Sequence, residues 1–160
     1  MIINFKKLDV NPLRRKALLI AEAGYRAINI SRVTQEKIKL NGNQLLIQLA
    51  SINGSKKIKI NLENYKRVFI VGIGKGSALA SATLAKILGR RLTGGIALDV
   101  SKLTTNCQLL TTFIGTHPLP SEQNIKASLK IIELAKGLKR EDLLITFICG
   151  GGSSLLCGSK

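Results

Sequence analysis

Arg67-Val-Phe-Ile-Val-Gly-Ile-Gly-Lys-Gly-Ser-Ala-Leu-Ala-Ser-Ala82 decides the fold. Val68 to Val71 form an unbroken run of β-branched and aromatic residues, the pattern of a buried parallel strand. The run passes directly into Gly72, Gly74 and Gly76, and then into an alanine-rich helical pattern. A strand, a glycine turn and a helix start in this order make an anion site. Glycine lets the backbone approach a ligand closely, and the free N–H groups of the helix start favour negative charge. Lys75, inside the turn, adds a full positive charge where a phosphate or carboxylate would lie. The same glycines also have a purely architectural reading, tight strand-to-helix packing with Lys75 solvated at the rim.

Two better-known phosphate loops do not match. A Walker A loop needs Gly-x-x-x-x-Gly-Lys-Ser/Thr, but Phe69 stands where its first glycine belongs and Gly76 follows the lysine. A dinucleotide fingerprint beginning at Gly72 and Gly74 meets Ser77 in place of its third glycine. Asp99, at the end of the next strand candidate, lies where a ribose contact would belong.

Outward from this stretch, a helix is expected from Asn11, with Pro12 at its first position and Leu13, Ala17, Ile20, Ala21 and Gly24 on one stripe. A second helix is expected from Ser31 towards Leu40. Leu45 to Leu49 and Lys57 to Leu62 read as a β-hairpin about Asn53-Gly54. After Arg67 the order becomes strand, helix (Ser77 to Leu88), strand (Gly95 to Val100), strand (Leu109 to Ile114), helix (Ser121 to Lys136), and a buried strand (Leu143 to Cys149). Such alternation implies an α/β fold, a Rossmann-like three-layer sandwich with a mainly parallel sheet, a helical N-terminal preface and a small β-hairpin. The strands at Val68–Val71, Ile96–Val100 and Leu143–Cys149 are expected to be neighbours, with Lys75 and the turn after Cys149 at one edge.

Two further turns carry chemistry. Gly115-Thr-His-Pro-Leu-Pro-Ser-Glu-Gln-Asn124 contains the single histidine, His117, in a loop stiffened by Pro118 and Pro120 ahead of a helix capped by Ser121. That imidazole can hydrogen-bond a substrate or move a proton, or simply pin its own loop. The second turn is Gly150-Gly151-Gly152-Ser153-Ser154, at the carboxyl end of a strand candidate. Ordering three consecutive glycines is entropically expensive, and two hydroxyls follow at a helix start. This is a second oxyanion-binding turn, at the sheet edge where open α/β folds collect ligands.

Composition sets the frame. A chain of 160 residues, 45% hydrophobic and 21% charged, suits one α/β domain with a single core. No apolar run reaches the ~18 residues of a transmembrane helix, and no signal-peptide core follows Lys6 and Lys7. Three cysteines, Cys107, Cys149 and Cys157, lack metal-ligand spacing and read as reduced thiols in a cytoplasm. Net charge is +16, yet the basic residues are scattered and aromatics are only 4%. A solvated basic surface therefore explains the charge better than a nucleic-acid site.

Val71-Gly-Ile-Gly-Lys75, Thr116-His-Pro-Leu-Pro120 and Gly150-Gly-Gly-Ser-Ser-Leu-Leu156, in this order, resemble the N-terminal domain of the glycerate 2-kinase family, the type with a C-terminal MOFRL domain that is also linked to hydroxypyruvate reductase. Arg15-Lys-Ala-Leu-Leu-Ile-Ala-Glu-Ala-Gly24 and Gly89-Arg-Arg-Leu-Thr-Gly-Gly95 extend the resemblance over most of the chain. It implies ATP-dependent phosphorylation of D-glycerate at its 2-hydroxyl, with magnesium, in a cleft between two α/β domains. Lys75 falls on the family's catalytic lysine. Gly72, Gly74, Gly76, His117, Gly150, Gly151, Gly152, Ser153 and Ser154 fall on substrate- or phosphate-binding turns. The chain departs from the family at Cys149, Gly76 and Ser121, where serine, alanine and aspartate are usual. Residues 1–160 are read as a truncated N-terminal domain without the MOFRL domain or a downstream catalytic arginine. Such a fragment is expected to be inactive alone, or to be completed by a separate chain. The rival reading is a non-catalytic module that binds a nucleotide, another anion or nucleic acid.

Overall fold

The computed structural model describes residues 2–51, 54–103 and 107–158. Helix α1 (Phe5–Leu8) and helix α2 (Pro12–Ala27) form the preface. As expected, Asn11 caps α2, its side chain accepting the Arg14 N–H at 2.9 Å. The expected stripe does not become core. Leu13 is 80% exposed and Ile20 is 74% exposed, whereas Glu22 is the buried residue of the helix. Glu22 accepts the Ile2 N–H at 2.6 Å, so α2 orients its polar acid, not its apolar stripe, towards the chain.

Helix α3 (Ile30–Lys37) starts one cap earlier than expected, on Asn29, whose side chain accepts the Arg32 N–H. It also ends earlier. Ile38–Asn41 is not helical but forms strand β1, antiparallel to β2 (Gln44–Ser51), which pairs in turn with β3 (Gly54–Asn61). The expected hairpin is therefore two strands of a three-stranded sheet. Leu40 and Leu45 face each other across β1 and β2, and pairing to β2 overrides the weak helical pattern of this segment. Asn53, of the expected hairpin turn, lies outside the described residues.

The second sheet comprises β4 (Arg67–Ile73), β5 (Gly94–Asp99), β6 (Leu110–Ile114) and β7 (Asp142–Ile148), all parallel, in the order β6-β5-β4-β7. Helix α4 (Ser77–Leu88) follows β4, helix α5 (Glu122–Lys136) precedes β7, and a short helix α6 (Gly152–Leu155) follows β7. Side chains of β4 alternate between two cores, as the period of two requires. Val68 and Ile70 join Leu84, Ala85 and Leu88 of α4, together with Ile38 and Leu45 of the antiparallel sheet. Val71 and Ile73 join Ile96, Leu98, and Ala127 and Ile131 of α5. The result is the expected α/β/α sandwich. The strands beginning at Val68, Ile96 and Leu143 are neighbours, as expected. One expectation fails here: β7 is an edge strand and is only half-buried, with Ile148 78% exposed. An apolar run alone does not separate an edge strand from a central one.

The amino ends of β4 and β7 are clamped by an ion pair. Arg67 Nε and Nη2 donate to the two oxygens of Asp142 at 2.9 and 2.6 Å, and the Lys139 N–H adds a third bond at 2.7 Å. The hydrogen bond from Arg67 pulls the Asp142 carboxyl below its ordinary value, to about 2. Because the folded-state value is lowered, the stabilisation is complete above pH ~4 and is lost as pH falls towards ~2. The thermal midpoint of the wild type is expected to fall across that window by more than that of Asp142→Asn. Parallel pH profiles for the two proteins would contradict this.

Candidate functional site

Register brings the two glycine turns together. Ile73 pairs with Ile148 at the carboxyl ends of β4 and β7, so the residues that follow are level. The Cys149 N–H donates to the Ile73 carbonyl at 2.8 Å, and the Lys75 N–H donates to the Gly150 carbonyl at 2.9 Å. Gly74 has a φ of +111°, and a Cβ there would lie 2.5 Å from the Cys149 carbonyl oxygen. Only glycine permits this backbone-on-backbone contact. The shared edge foreseen for Lys75 and the Gly150–Ser154 turn is therefore present.

The histidine loop closes over the same place. Its anchor is Asn124, a fully buried residue of α5. The Asn124 side-chain oxygen accepts the Thr116 N–H at 2.9 Å, the Ser121 N–H at 3.0 Å and the Ser121 hydroxyl at 2.9 Å. Its amide nitrogen donates to the carbonyls of Thr116 at 3.2 Å and Leu155 at 3.0 Å. One side chain thus ties the His117 loop to the helix that follows the triple glycine. A Cβ at Gly151, where φ is +78°, would lie 3.0 Å from His117 Nε2 and 3.7 Å from Lys75 Cε. Three motifs far apart in sequence therefore meet around Gly151.

The donors at this point are unequal. Among the described residues, the N–H groups of Gly150, Gly151 and Ser153 donate to no protein acceptor. Lys75, Gly150 and Ser153 are exposed, while His117 and Ser154 are half-buried. The first turn is different: Gly72 is buried against α4, the Gly74 N–H bonds the Leu98 carbonyl at 3.0 Å, and Gly76 faces Ile30 of α3. Gly72 and Gly76 thus pack the strand and α3 against α4. Most of the start of α4 is also taken. Asp99 is 2% exposed, and its Oδ2 accepts the Ala78 N–H at 3.0 Å. Its Oδ1 accepts the Val100 N–H at 2.7 Å and the Ser101 N–H at 3.3 Å. Asp99 is therefore not aimed outwards as the ribose reading requires. It is an internal helix cap.

Cys149 lies at the root of the second turn, and its thiol is pushed up chiefly by burial and then by the Asp99 carboxylate. Cys107, Cys149 and Cys157 are all free thiols. Among the described residues, no group of three or more His, Cys, Asp or Glu could hold a metal ion. Asp99 has both oxygens engaged by backbone N–H groups, so these residues do not fit a magnesium ion held by protein ligands. They suit an anionic oxygen better: the Lys75 side chain, the His117 ring and the turn's unengaged N–H groups lie close to Gly151. No helix among the described residues is long and apolar enough to cross a membrane.

Sequence reasoning missed Asn124 and did not foresee that Asp99 caps α4. A signal existed for the first, since Asn124 stands three residues after the Ser121 cap, the position from which a side chain reaches back in a capping box. Asn124→Ala leaves buried partners unsatisfied and is expected to lower stability by about 1–3 kcal/mol. Denaturant unfolding measures this, and a midpoint equal to wild type would contradict it.

A parallel sheet between helices, with glycine-rich turns at its carboxyl edge, defines an open α/β domain. The chain belongs to the family described as "Domain of unknown function (DUF4147)", which matches residues 16–160. It is similar to a glycerate 2-kinase from Picrophilus torridus, 27% identical over 156 residues, which are 97% of this chain and 33% of that protein. It is also similar to the human glycerate kinase, 30% identical over 135 residues, covering 73% of this chain and 26% of that protein. Among solved structures, a glycerate kinase from Thermotoga maritima matches with a TM-score of 0.65 and 21% identity over 89% of this chain and 30% of that one. The resemblance drawn from the motifs is therefore borne out at the level of family and fold. The chain spans about a third, or less, of the length of these relatives.

Proposed function

We propose that this chain is the N-terminal part of a glycerate 2-kinase and holds the phosphate or carboxylate oxygens of the reactants at Lys75, His117 and the Gly150–Ser154 turn. The observation that carries the proposal is the meeting of Lys75, His117 and Gly151 around one volume. The names of the relatives supply glycerate as the substrate class, and the kinase class suggests ATP, which would supply the phosphoryl group when bound.

Each residue has a role set by its chemistry. The Lys75 ammonium neutralises charge on a phosphoryl oxygen or on the substrate carboxylate. The N–H groups of Gly150, Gly151 and Ser153 donate to the same anion, with the Ser153 and Ser154 hydroxyls beside them. His117, held by the Asn124-anchored loop, orients the substrate hydroxyl. Magnesium has no cluster of protein ligands among the described residues. In this reading the remaining cleft wall comes from residues beyond this sequence or from a separate chain, in a cytoplasmic enzyme. A non-catalytic nucleotide- or anion-binding module is the second reading, favoured by the unengaged N–H groups of Gly150, Gly151 and Ser153 among the described residues.

Titration of ATP and of D-glycerate into wild type and Lys75→Ala at two salt concentrations tests the site. A built site depends on Lys75 and keeps part of its affinity at moderate salt. Diffuse attraction to a surface of net charge +16 instead falls steeply with salt and depends on no single residue. Equal affinities for the two proteins, both vanishing with salt, would leave only the diffuse surface.

A further inference from the structure

We propose that Asp99 determines which turn of this site receives the anion: its carboxylate acts as a built-in anion at the start of α4, so that an external anion is directed to the Gly150–Ser153 turn. The second half of this assignment rests on the anion-site reading above; the first half does not. Helix α4 runs for 12 residues, and its start would ordinarily attract negative charge. Here most of that start is taken: the Leu79 N–H has no protein acceptor among the described residues, but its neighbours are engaged. Asp99 Oδ2 holds the Ala78 N–H, the Gly74 carbonyl accepts the Ser77 N–H, and the Gly76 carbonyl accepts the Ala80 N–H. The Ser77 hydroxyl turns inwards to the Leu98 carbonyl at 3.1 Å. Asp99 cannot swing away without breaking its bonds to Val100 and Ser101 as well, and at 2% exposure it has no water to replace them. Across the site, Gly150, Gly151 and Ser153 keep their N–H groups unengaged among the described residues. The influence of Asp99 on the Cys149 thiol indicates that its charge is felt at the root of this second turn too. One buried carboxylate therefore occupies the Ala78 donor beside the first turn, and its charge also reaches the root of the second.

The consequence is specific. Replacing the charge by an amide leaves one acceptor for two donor sets, so that either the α4 start or the Val100 and Ser101 N–H groups lose their partner, and it removes a negative charge beside the site. Asp99→Asn is expected to bind inorganic phosphate about two- to five-fold more tightly at low ionic strength, with the gain shrinking as salt is added. Amide chemical shifts during a phosphate titration of the isotope-labelled chain locate the binding. In wild type, Gly150, Gly151 and Ser153 are expected to shift while Ala78 and Leu79 stay still. In Asp99→Asn, Ala78 and Leu79 join them. Asp99→Ser, which keeps one acceptor oxygen, is run alongside in case the amide does not fold. Wild-type shifts at Ala78 as large as those at Gly151 would overturn the proposal, and so would a folded Asp99 variant whose Ala78 ignores phosphate. No shift at Gly150–Ser153 in wild type, with a gain at Ala78 in the variant, would sink the anion-site reading while leaving Asp99 as the occupant of α4.

Discussion

Mixed with ATP, magnesium and D-glycerate, the 160-residue chain alone is expected to release no ADP above the blank. Phosphoryl transfer is accelerated mainly by positioning and by several charges arranged around the transferring group. The described residues bring one lysine, one histidine and a set of N–H donors to the site, without a cluster of metal ligands. Each missing stabilising contact typically removes about 10²–10³ in rate. The shortfall from several contacts together places turnover below the detection of a coupled assay. D-glycerate-dependent ADP release that is well above the blank, and is lost in Lys75→Ala, would show that this chain already carries a working site.

The second large effect is on the fold. Gly74→Ala is expected to destabilise the chain by about 2–5 kcal/mol, because the added methyl collides with backbone and the residue must hold a conformation that side chains avoid. The Cβ would lie 2.5 Å from the Cys149 carbonyl oxygen and 2.7 Å from its carbon, at a φ of +111°. Neither atom can move without pulling β7 off β4. For a domain of this size such a loss lowers the thermal midpoint by roughly 5–15 °C. Gly24→Ala is the control, since nothing lies within 4 Å of its Cβ position. A Gly74→Ala midpoint equal to that of the control would mean that the two turns are not packed as described.

Much of this was legible in the chain. Val68 to Val71 announce a buried strand because every position is apolar and branched or aromatic, and β4 has neighbours on both sides. The glycine turns were legible because ordering glycine is expensive and argues for a geometric need, which Gly74 and Gly151 have. Other features depend on tertiary context. Ile38–Asn41 carries a pattern compatible with either element, and pairing with β2 decides it. The α2 stripe is periodic, yet which face a helix buries depends on what the chain places beside it. The capping role of Asp99 is not legible in sequence because nothing local reveals that the start of α4 lies above it. Asn124 is the middle case. Its spacing from Ser121 marks it as a cap partner, but its bond to the Leu155 carbonyl spans elements that no local pattern connects.

The central claim is that Lys75, His117 and the second glycine turn form one anion site, and filling that volume tests it most directly. Gly151→Ala places a methyl 3.0 Å from His117 Nε2 and 3.7 Å from Lys75 Cε. It adds about 1–2 kcal/mol of backbone strain, so circular dichroism must first confirm that the variant folds. Phosphate affinity, measured by calorimetry at moderate salt, is then predicted to fall at least about ten-fold, the equivalent of ~1.4 kcal/mol. A folded Gly151→Ala that binds phosphate as tightly as wild type would contradict the account.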